Sequence, residues 1–215
     1  MHTTSESPSP DRQRLTHLRD LNARAVRHSV AVVGRMTPAD PSRPTPCSDW
    51  TLADLLAHMT AQHRGFAAAA RGDGRDLAHW RADPPSGDPV ARYADAADDV
   101  IAAFAEVDDP DRPFALPEFT AARTFPATLA IGFHFIDYVV HGWDVARALG
   151  LPYDPDPALL RAALPIARAV PDDASRLAPG SAFRPGLPAE GHADLLDEIL
   201  TTLGRAPSWA APASC

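Results

Sequence analysis

Residues 134–150 read HFIDYVVHGWDVARALG, and this stretch predicts the longest helix of the chain. The helix is expected to begin near Pro126, since proline suits a first helical turn. It is expected to end before Gly150, since glycine suits the position after a helix. Its apolar residues lie nearly all round the helix, and a helix of that kind is buried. The stretch therefore favours a bundle of helices packed around it.

Asp137 and His141 stand four residues apart on this helix, and His134 and Asp144 lie about one turn to either side. At about 100° per residue, the four side chains occupy roughly a quarter of the circumference. One interpretation is a set of ordinary helical pairs, with Asp144 bonded to Arg147. The other interpretation is that these side chains bind a metal ion. Ionisable side chains are costly to bury in a helix unless they are paired or bind a metal.

Three further helices are predicted before this one. Apolar residues at spacings of three and four indicate helices over about residues 11–36, 51–72 and 90–107. Thr51 and Asp54 resemble a capping box at the start of the second helix, and Gly72 is expected to end it. Two weaker helices follow over residues 157–169, with a kink at Pro165, and over residues 193–203.

These elements predict an all-α fold, a four-helix bundle with a short C-terminal extension. We divide the chain into a disordered tail over residues 1–10, the bundle over 11–150 and a helical extension over 151–215 that packs on the bundle. The connections between helices are rich in proline, and no convincing alternating strand pattern occurs.

Composition excludes several classes of function. The net charge is −8, and the basic residues, all arginine, are spread along the 215-residue chain, which argues against nucleic-acid binding. The sequence contains no run of about 18 apolar residues, so no membrane span is predicted. The polar N-terminus does not resemble a signal peptide. A cytoplasmic location is therefore expected. The spacing of the two cysteines, Cys47 and Cys215, suggests neither a disulfide framework nor a zinc knuckle.

His58 lies at the margin of the buried stripe of the second helix. A single histidine there can be a hydrogen-bonded boundary residue, or it can be a metal ligand shared with the Asp137–His141 pair. Bundles build metal sites from inward-facing ligands on different helices. Three protein ligands leave one coordination position open, which is typical of catalytic zinc sites.

Three blocks of the sequence resemble a known family. TPCSDWTLADLLAHM, HFIDYVVHGWDVARALG and LLDEILTTLGRAPSW are similar to motifs of the mycothiol-dependent maleylpyruvate isomerase family, within the DinB-like metalloenzyme superfamily. The blocks span residues 45–209. The composition, without lysine and rich in alanine and proline, agrees with an actinobacterial origin.

The resemblance implies a DinB-like four-helix bundle that binds a divalent metal, with zinc expected and nickel as the alternative. It implies that His58, Asp137 and His141 are the metal ligands and that mycothiol is the co-substrate. The isomerase has glutamate at this acidic position, whereas many relatives have aspartate, as this chain does at Asp137. The shorter side chain would shift the metal. The isomerase also has a separate C-terminal domain, whereas only residues 151–215 follow the fourth helix here, so the fold and metal carry over more readily than the specific isomerase reaction.

Other residues receive weaker predictions. His134 and Asp144 are candidates to support the metal ligands, with the Arg147 salt bridge as the alternative for Asp144. Arg123 and Arg147 are candidates to bind an anionic substrate. Trp50 and Trp143 are expected to serve packing, and Cys47 is expected to be inert rather than activated by the helix that follows it. No role is predicted for His63, His79 or His192.

Three functions remain open from the sequence. The first is an isomerase or transferase in which a metal-activated mycothiol thiolate attacks an electrophilic small molecule. The second is a metalloenzyme that acts without thiol, for example in hydrolysis or a biosynthetic step. The third is a non-catalytic metal-binding module. A small-molecule substrate is expected in the first two, and a homodimer is one expected assembly because relatives often dimerise.

Overall fold

The computed structural model describes residues 9–47, 50–82, 87–178, 181–188 and 194–211. Four long helices form the body of the molecule: α1 (Pro10–Val33), α2 (Leu52–Arg71), α3 (Pro89–Ala105) and α4 (Ala127–Leu149). Two shorter helices follow, α5 (Pro157–Ala169) and α6 (Leu195–Thr202). Short 3₁₀ turns occupy Leu77–Trp80 and Ala174–Leu177. The predicted all-α, DinB-like bundle is confirmed.

The helix ends follow local chemistry. Thr51 and Asp54 form the predicted capping box at the start of α2, each side chain bonding the other residue's backbone N–H. Gly72 and Gly150 adopt left-handed conformations, with φ of 94° and 70°, directly after α2 and α4. Ser9 caps α1, so this helix begins at Pro10, inside the predicted tail, while residues 1–8 lie outside the described residues.

A small sheet precedes α4 where no strand pattern was recognised. Strand β1 (Pro113–Phe114) pairs antiparallel with β2 (Phe125–Pro126). Two residues per strand are too few for an alternating pattern to be visible in the sequence. Pro126 therefore lies in β2 and at the N-cap of α4 rather than in its first turn. Helix α5 has the predicted bounds and continues through Pro165.

Packing of the helices creates the interior. Helix α1 packs along α4. Helix α2 packs along α3 and also contacts α4. Helix α5 packs on α4 and α1, and α6 packs on α5. The largest side chains of α3 and α4, Tyr93, Tyr138 and Trp143, are fully buried. An ion pair between Arg24 of α1 and Asp156 joins the bundle to the start of α5. None of the described helices combines the length and apolar character needed to cross a membrane.

Candidate metal centre

Three side chains from two helices converge at the α2–α4 contact. His58 comes from α2, and Asp137 and His141 lie one turn apart on α4. One donor atom from each of the three lies within 4.8 Å of the others. Oδ1 of Asp137 lies 3.4 Å from Nε2 of His141, and the rings of His58 and His141 meet edge to face with centroids 5.5 Å apart. The structure thus brings together the three residues that the sequence singled out.

Burial and charge give the two imidazoles different protonation behaviour. Burial lowers the pKa of His58 to about 4, the positive charge of His141 acts in the same direction, and Asp137 opposes them. Burial also disfavours the charged form of His141, but the Asp137 and Asp144 carboxylates outweigh it and raise its pKa well above the usual value. His58 is therefore neutral at pH 7, and the surroundings of His141 stabilise a positive charge.

Asp144 contacts the other side of the His141 ring. Its Oδ2 atom accepts a hydrogen bond from Nδ1 of His141 at 2.9 Å, and its side chain is fully buried. This bond places the proton on Nδ1 in the neutral ring and leaves the lone pair of Nε2 facing Asp137. Metal-ligating histidines are commonly oriented by a carboxylate in this way. Of the two interpretations of Asp144, the structure favours support of His141 over a pair with Arg147.

Arg205 and Cys47 complete the surroundings of Asp144. Nη2 of Arg205 lies 3.3 Å from Oδ2 of Asp144, and Sγ of Cys47 donates to the same oxygen at 3.2 Å. Burial raises the pKa of Asp144, but Arg205 and His141 outweigh burial and hold it below the usual value. Cys47 is therefore part of a polar cluster, and its expected inertness stays a prediction. No role for Arg205 was predicted from the sequence, and only the closing LGRAPSW block pointed to this region.

A cleft opens beside His58. Its volume is about 480 Å³, within the range of small-molecule pockets. The described residues that line it are Trp50, Asp54, Ala57, His58, Ala61, Trp80 and Ala82. Trp50 is 38% exposed, and its ring centroid lies 4.8 Å from that of His58. Trp50 thus forms a wall of this cleft rather than packing in the core, whereas Trp143 is buried as expected. We call this opening the His58 cleft.

Residues 23–146 match the family described as Mycothiol maleylpyruvate isomerase N-terminal domain. The chain belongs to this family. The matched range contains His58, Asp137 and His141. Two relatives are the uncharacterized proteins MT0763 and Rv0738 of Mycobacterium tuberculosis, from strains CDC 1551 and H37Rv, each 31% identical over 75% of this chain and 83% of the relative. No solved structure gives a significant match.

Within this family member, His134 lies away from the candidate ligands. Its Nδ1 atom donates to Oδ1 of Asn22 at 2.7 Å, and its Nε2 atom lies 3.1 Å from Nδ1 of His63. Both ring nitrogens of His134 therefore contact side chains of α1 and α2. The expectation that His134 supports the metal ligands is wrong, because its side chain points into the bundle interior, where its ring and that of His63 stack on Tyr138.

The two predicted substrate-binding arginines are also elsewhere. Arg123 is exposed, with its guanidinium 4.4 Å from the centroid of the Phe125 ring. Arg147 is exposed near the end of α4, donates to the carbonyl of Pro207 at 3.3 Å and lies over Trp143. It lines a second cleft of about 270 Å³ rather than the His58 cleft. The described contacts of these arginines do not include the candidate ligands.

Glu118 is a further acidic group that the sequence did not indicate. Gln62, one turn beyond His58 on α2, donates to Oε2 of Glu118 at 2.6 Å. The residue is exposed overall, but partial burial of its carboxyl raises the pKa of Glu118, the bond from Gln62 opposes this, and the negative charge of Asp137 raises it further. Glu118 therefore retains a proton to higher pH than an ordinary glutamate. The loop that carries Glu118 has no periodic pattern, so this residue could not be singled out from the sequence.

The three histidines without a predicted role, and Cys215, fall into two groups. His79 bonds Asp73 at 2.9 Å on the surface, and His63 is fully buried against His134. His192 and Cys215 lie outside the described residues.

Proposed function

We propose that the chain is a metal-dependent enzyme of the mycothiol-dependent isomerase and transferase type. His58, Asp137 and His141 would hold a divalent metal, with zinc as the expected ion and nickel as the alternative. The observation that carries this proposal is the convergence of three donor atoms within 4.8 Å on two helices. Membership of the family supports it, as does the Asp144 carboxylate that orients His141.

The donor set fits such a metal. Two imidazole nitrogens and one carboxylate oxygen leave one coordination position for a further ligand, as in catalytic zinc sites. When bound, the metal would favour the deprotonated form of a coordinated thiol, so that the sulfur becomes a nucleophile. His58 is both a donor and a lining residue of the His58 cleft, so a small molecule in this cleft would lie beside the donor set.

The cleft suggests the chemistry of the second substrate. Among its described lining residues Asp54 is acidic, and there is no arginine. We therefore propose an electrophile without several carboxylate groups, for example an alkene conjugated with a carbonyl. A C–S bond would form as the alkene electron pair moves toward the carbonyl oxygen. Expulsion of sulfur after bond rotation gives an isomer, and protonation of the carbon gives an S-conjugate.

Glu118 is the group we propose to hold the transferred proton. The pKa of Glu118 is raised, and the charge of Asp137 contributes to that shift. Gln62 fixes the carboxyl from the same helix that carries His58. An acid or base with a pKa moved toward neutrality is suited to proton transfer.

Metal analysis of the purified chain tests the first part of the proposal. We expect about one zinc or nickel per chain, loss of the metal in Asp137→Ala and its retention in Asp98→Ala, which removes an exposed carboxylate from α3. A chain that takes up zinc, nickel and manganese no better than Asp137→Ala would contradict it. Calorimetric titration of mycothiol into the zinc-loaded chain tests the second part. Absence of binding at millimolar thiol would favour a thiol-independent metalloenzyme.

A further inference from the structure

Arg205 reaches the centre of the bundle from the C-terminal extension. The chain leaves α6 through Gly204, whose φ of 76° is left-handed, and the N–H of Arg205 bonds the carbonyl of Leu200 at 2.8 Å. A side chain at position 204 would meet the carbonyl oxygen of Arg184 at 2.5 Å, so glycine is required there. This turn directs the Arg205 side chain inward, where the residue is only 6% exposed.

Three donors meet on one carboxylate oxygen. Oδ2 of Asp144 is approached by Nδ1 of His141 at 2.9 Å, by Sγ of Cys47 at 3.2 Å and by Nη2 of Arg205 at 3.3 Å. Nη2 of Arg205 also lies 3.4 Å from Sγ of Cys47. A buried carboxylate is costly without a cationic partner, and Arg205 is the guanidinium that contacts Asp144 among the described residues.

A second metal ion is not the best explanation of this cluster. Donor atoms of Cys47, His141 and Asp144 lie within 4.8 Å of one another, as those of a metal site would. However, the guanidinium of Arg205 already lies against two of the three donors and supplies the positive charge. A divalent cation at the same place would be repelled by it.

We propose that Arg205 is a positioning residue for the candidate metal centre, an assignment that rests on the proposed function. It holds the Asp144 carboxylate in place, and Asp144 in turn fixes the His141 ring so that Nε2 faces Asp137. The extension is then required for a well-formed site, because it delivers the cation that the bundle lacks at Asp144. Without Arg205 the carboxylate would lose its partner, and His141 would lose its fixed orientation.

Zinc affinity of the full chain, measured by competition with a chelator, tests this assignment. We expect Arg205→Met to weaken zinc binding by about 10- to 100-fold, the usual effect of losing support behind a metal ligand. Arg205→Lys should weaken it less, because lysine restores the charge but not the planar fork. Arg176→Met is the matched control: Arg176 is also buried in the extension, but it bonds the carbonyls of Val170, Pro171, Arg184 and Thr202. Its zinc affinity should stay unchanged.

A measurement without metal separates this assignment from the proposed function. In nitrogen-15 NMR spectra of the metal-free chain, the Nδ1–H signal of His141 should be protected from exchange with water in the unchanged protein and in Arg176→Met. It should be lost or shifted in Arg205→Met. Equal spectra and equal zinc affinities for the two methionine variants would overturn the role of Arg205. Failure of the unchanged chain to bind zinc or nickel, with the expected NMR result, would overturn the metal and leave Arg205 as the residue that orders His141.

Discussion

Oδ2 of Asp144 and Nδ1 of His141 are joined by a 2.9 Å hydrogen bond between residues three positions apart on α4. The bond uses one ring nitrogen and leaves the other, Nε2, 3.4 Å from Asp137. A single helix face therefore carries both a candidate metal ligand and the carboxylate that orients it. The consequences of this arrangement can be measured.

Asp144→Asn should weaken zinc binding by about 10- to 100-fold, because the amide is a weaker acceptor for His141 and no longer balances Arg205. Chelator competition measures the affinity. Asp99→Asn provides the control, since Asp99 also pairs with an arginine, Arg71, but on the surface at 2.7 Å. Equal affinity for the two variants would show that Asp144 does not act on the metal ligands.

Trp50→Ala should weaken binding of mycothiol or of an electrophile in the His58 cleft without changing zinc affinity. Losing an aromatic wall of this kind costs about 1 kcal/mol, or roughly fivefold in affinity. Calorimetric titration of ligand into the zinc-loaded variant measures the ligand affinity, and chelator competition measures the zinc affinity. A loss of zinc affinity instead would mean that the main role of Trp50 is to hold the His58 ring.

Gly65→Ala should destabilise the fold by about 1–3 kcal/mol, because the added methyl would overpack this position. It would lie 2.3 Å from Cε3 of Trp80, a lining residue of the His58 cleft. Gly132→Ala on α4 is the matched control, since its methyl would meet only Ile166 at an ordinary 3.9 Å. The control should be neutral or stabilised by about 0.5–1 kcal/mol, since alanine favours helix. Urea unfolding of both variants measures the difference, and equal destabilisation would rule out the Trp80 clash as its cause.

The buried pair His63 and His134 should make the fold less stable in mild acid. Burial lowers the pKa of His134 to about 3, and burial together with the charge of His134 lowers the pKa of His63 well below its usual value. The unfolded state therefore binds more protons below about pH 6.5, and folding stability decreases as pH falls through that range. Each histidine contributes at most about 1.4 kcal/mol per pH unit.

Urea unfolding between about pH 7 and about pH 5 measures this slope. His134→Gln should reduce it, because one buried imidazole is removed, and His17→Gln shows the effect of removing an exposed imidazole. Equal slopes for the unchanged chain and His134→Gln would contradict the assignment of the acid sensitivity to the buried pair.

Local features of the fold could be predicted because each depends on residues within one or two turns. The Thr51–Asp54 capping box, the glycines that end α2 and α4, and the bounds of α5 are of this kind. The placement of Asp137 and His141 on one face of α4 is also local, since it follows from the helical period. The small β1–β2 pair was missed because two-residue strands have no period to detect.

The roles of His134, Arg123 and Arg147 could not be predicted in the same way. On a helical wheel of α4, His134 lies near Asp137. In the structure, however, the packing of α1 and α2 against α4 makes Asn22 and His63 the partners of His134. Arg147 is close to Asp144 in sequence, yet the buried partner of Asp144 is Arg205, which is delivered by the turn after α6. Neighbours across helices depend on which faces meet, and periodicity does not contain that information.

The amino-acid sequence by itself determined the helices, the glycines that end α2 and α4, and the Asp137–His141 pair, because backbone hydrogen bonding and side-chain period act over a few residues. Only the tertiary structure decided that His58 meets that pair, that Arg205 and Cys47 meet Asp144, and that Glu118 is held by Gln62. The physical reason is that burial brings together groups far apart in the chain, and charges placed in a low-dielectric interior must find partners wherever the packed faces provide them.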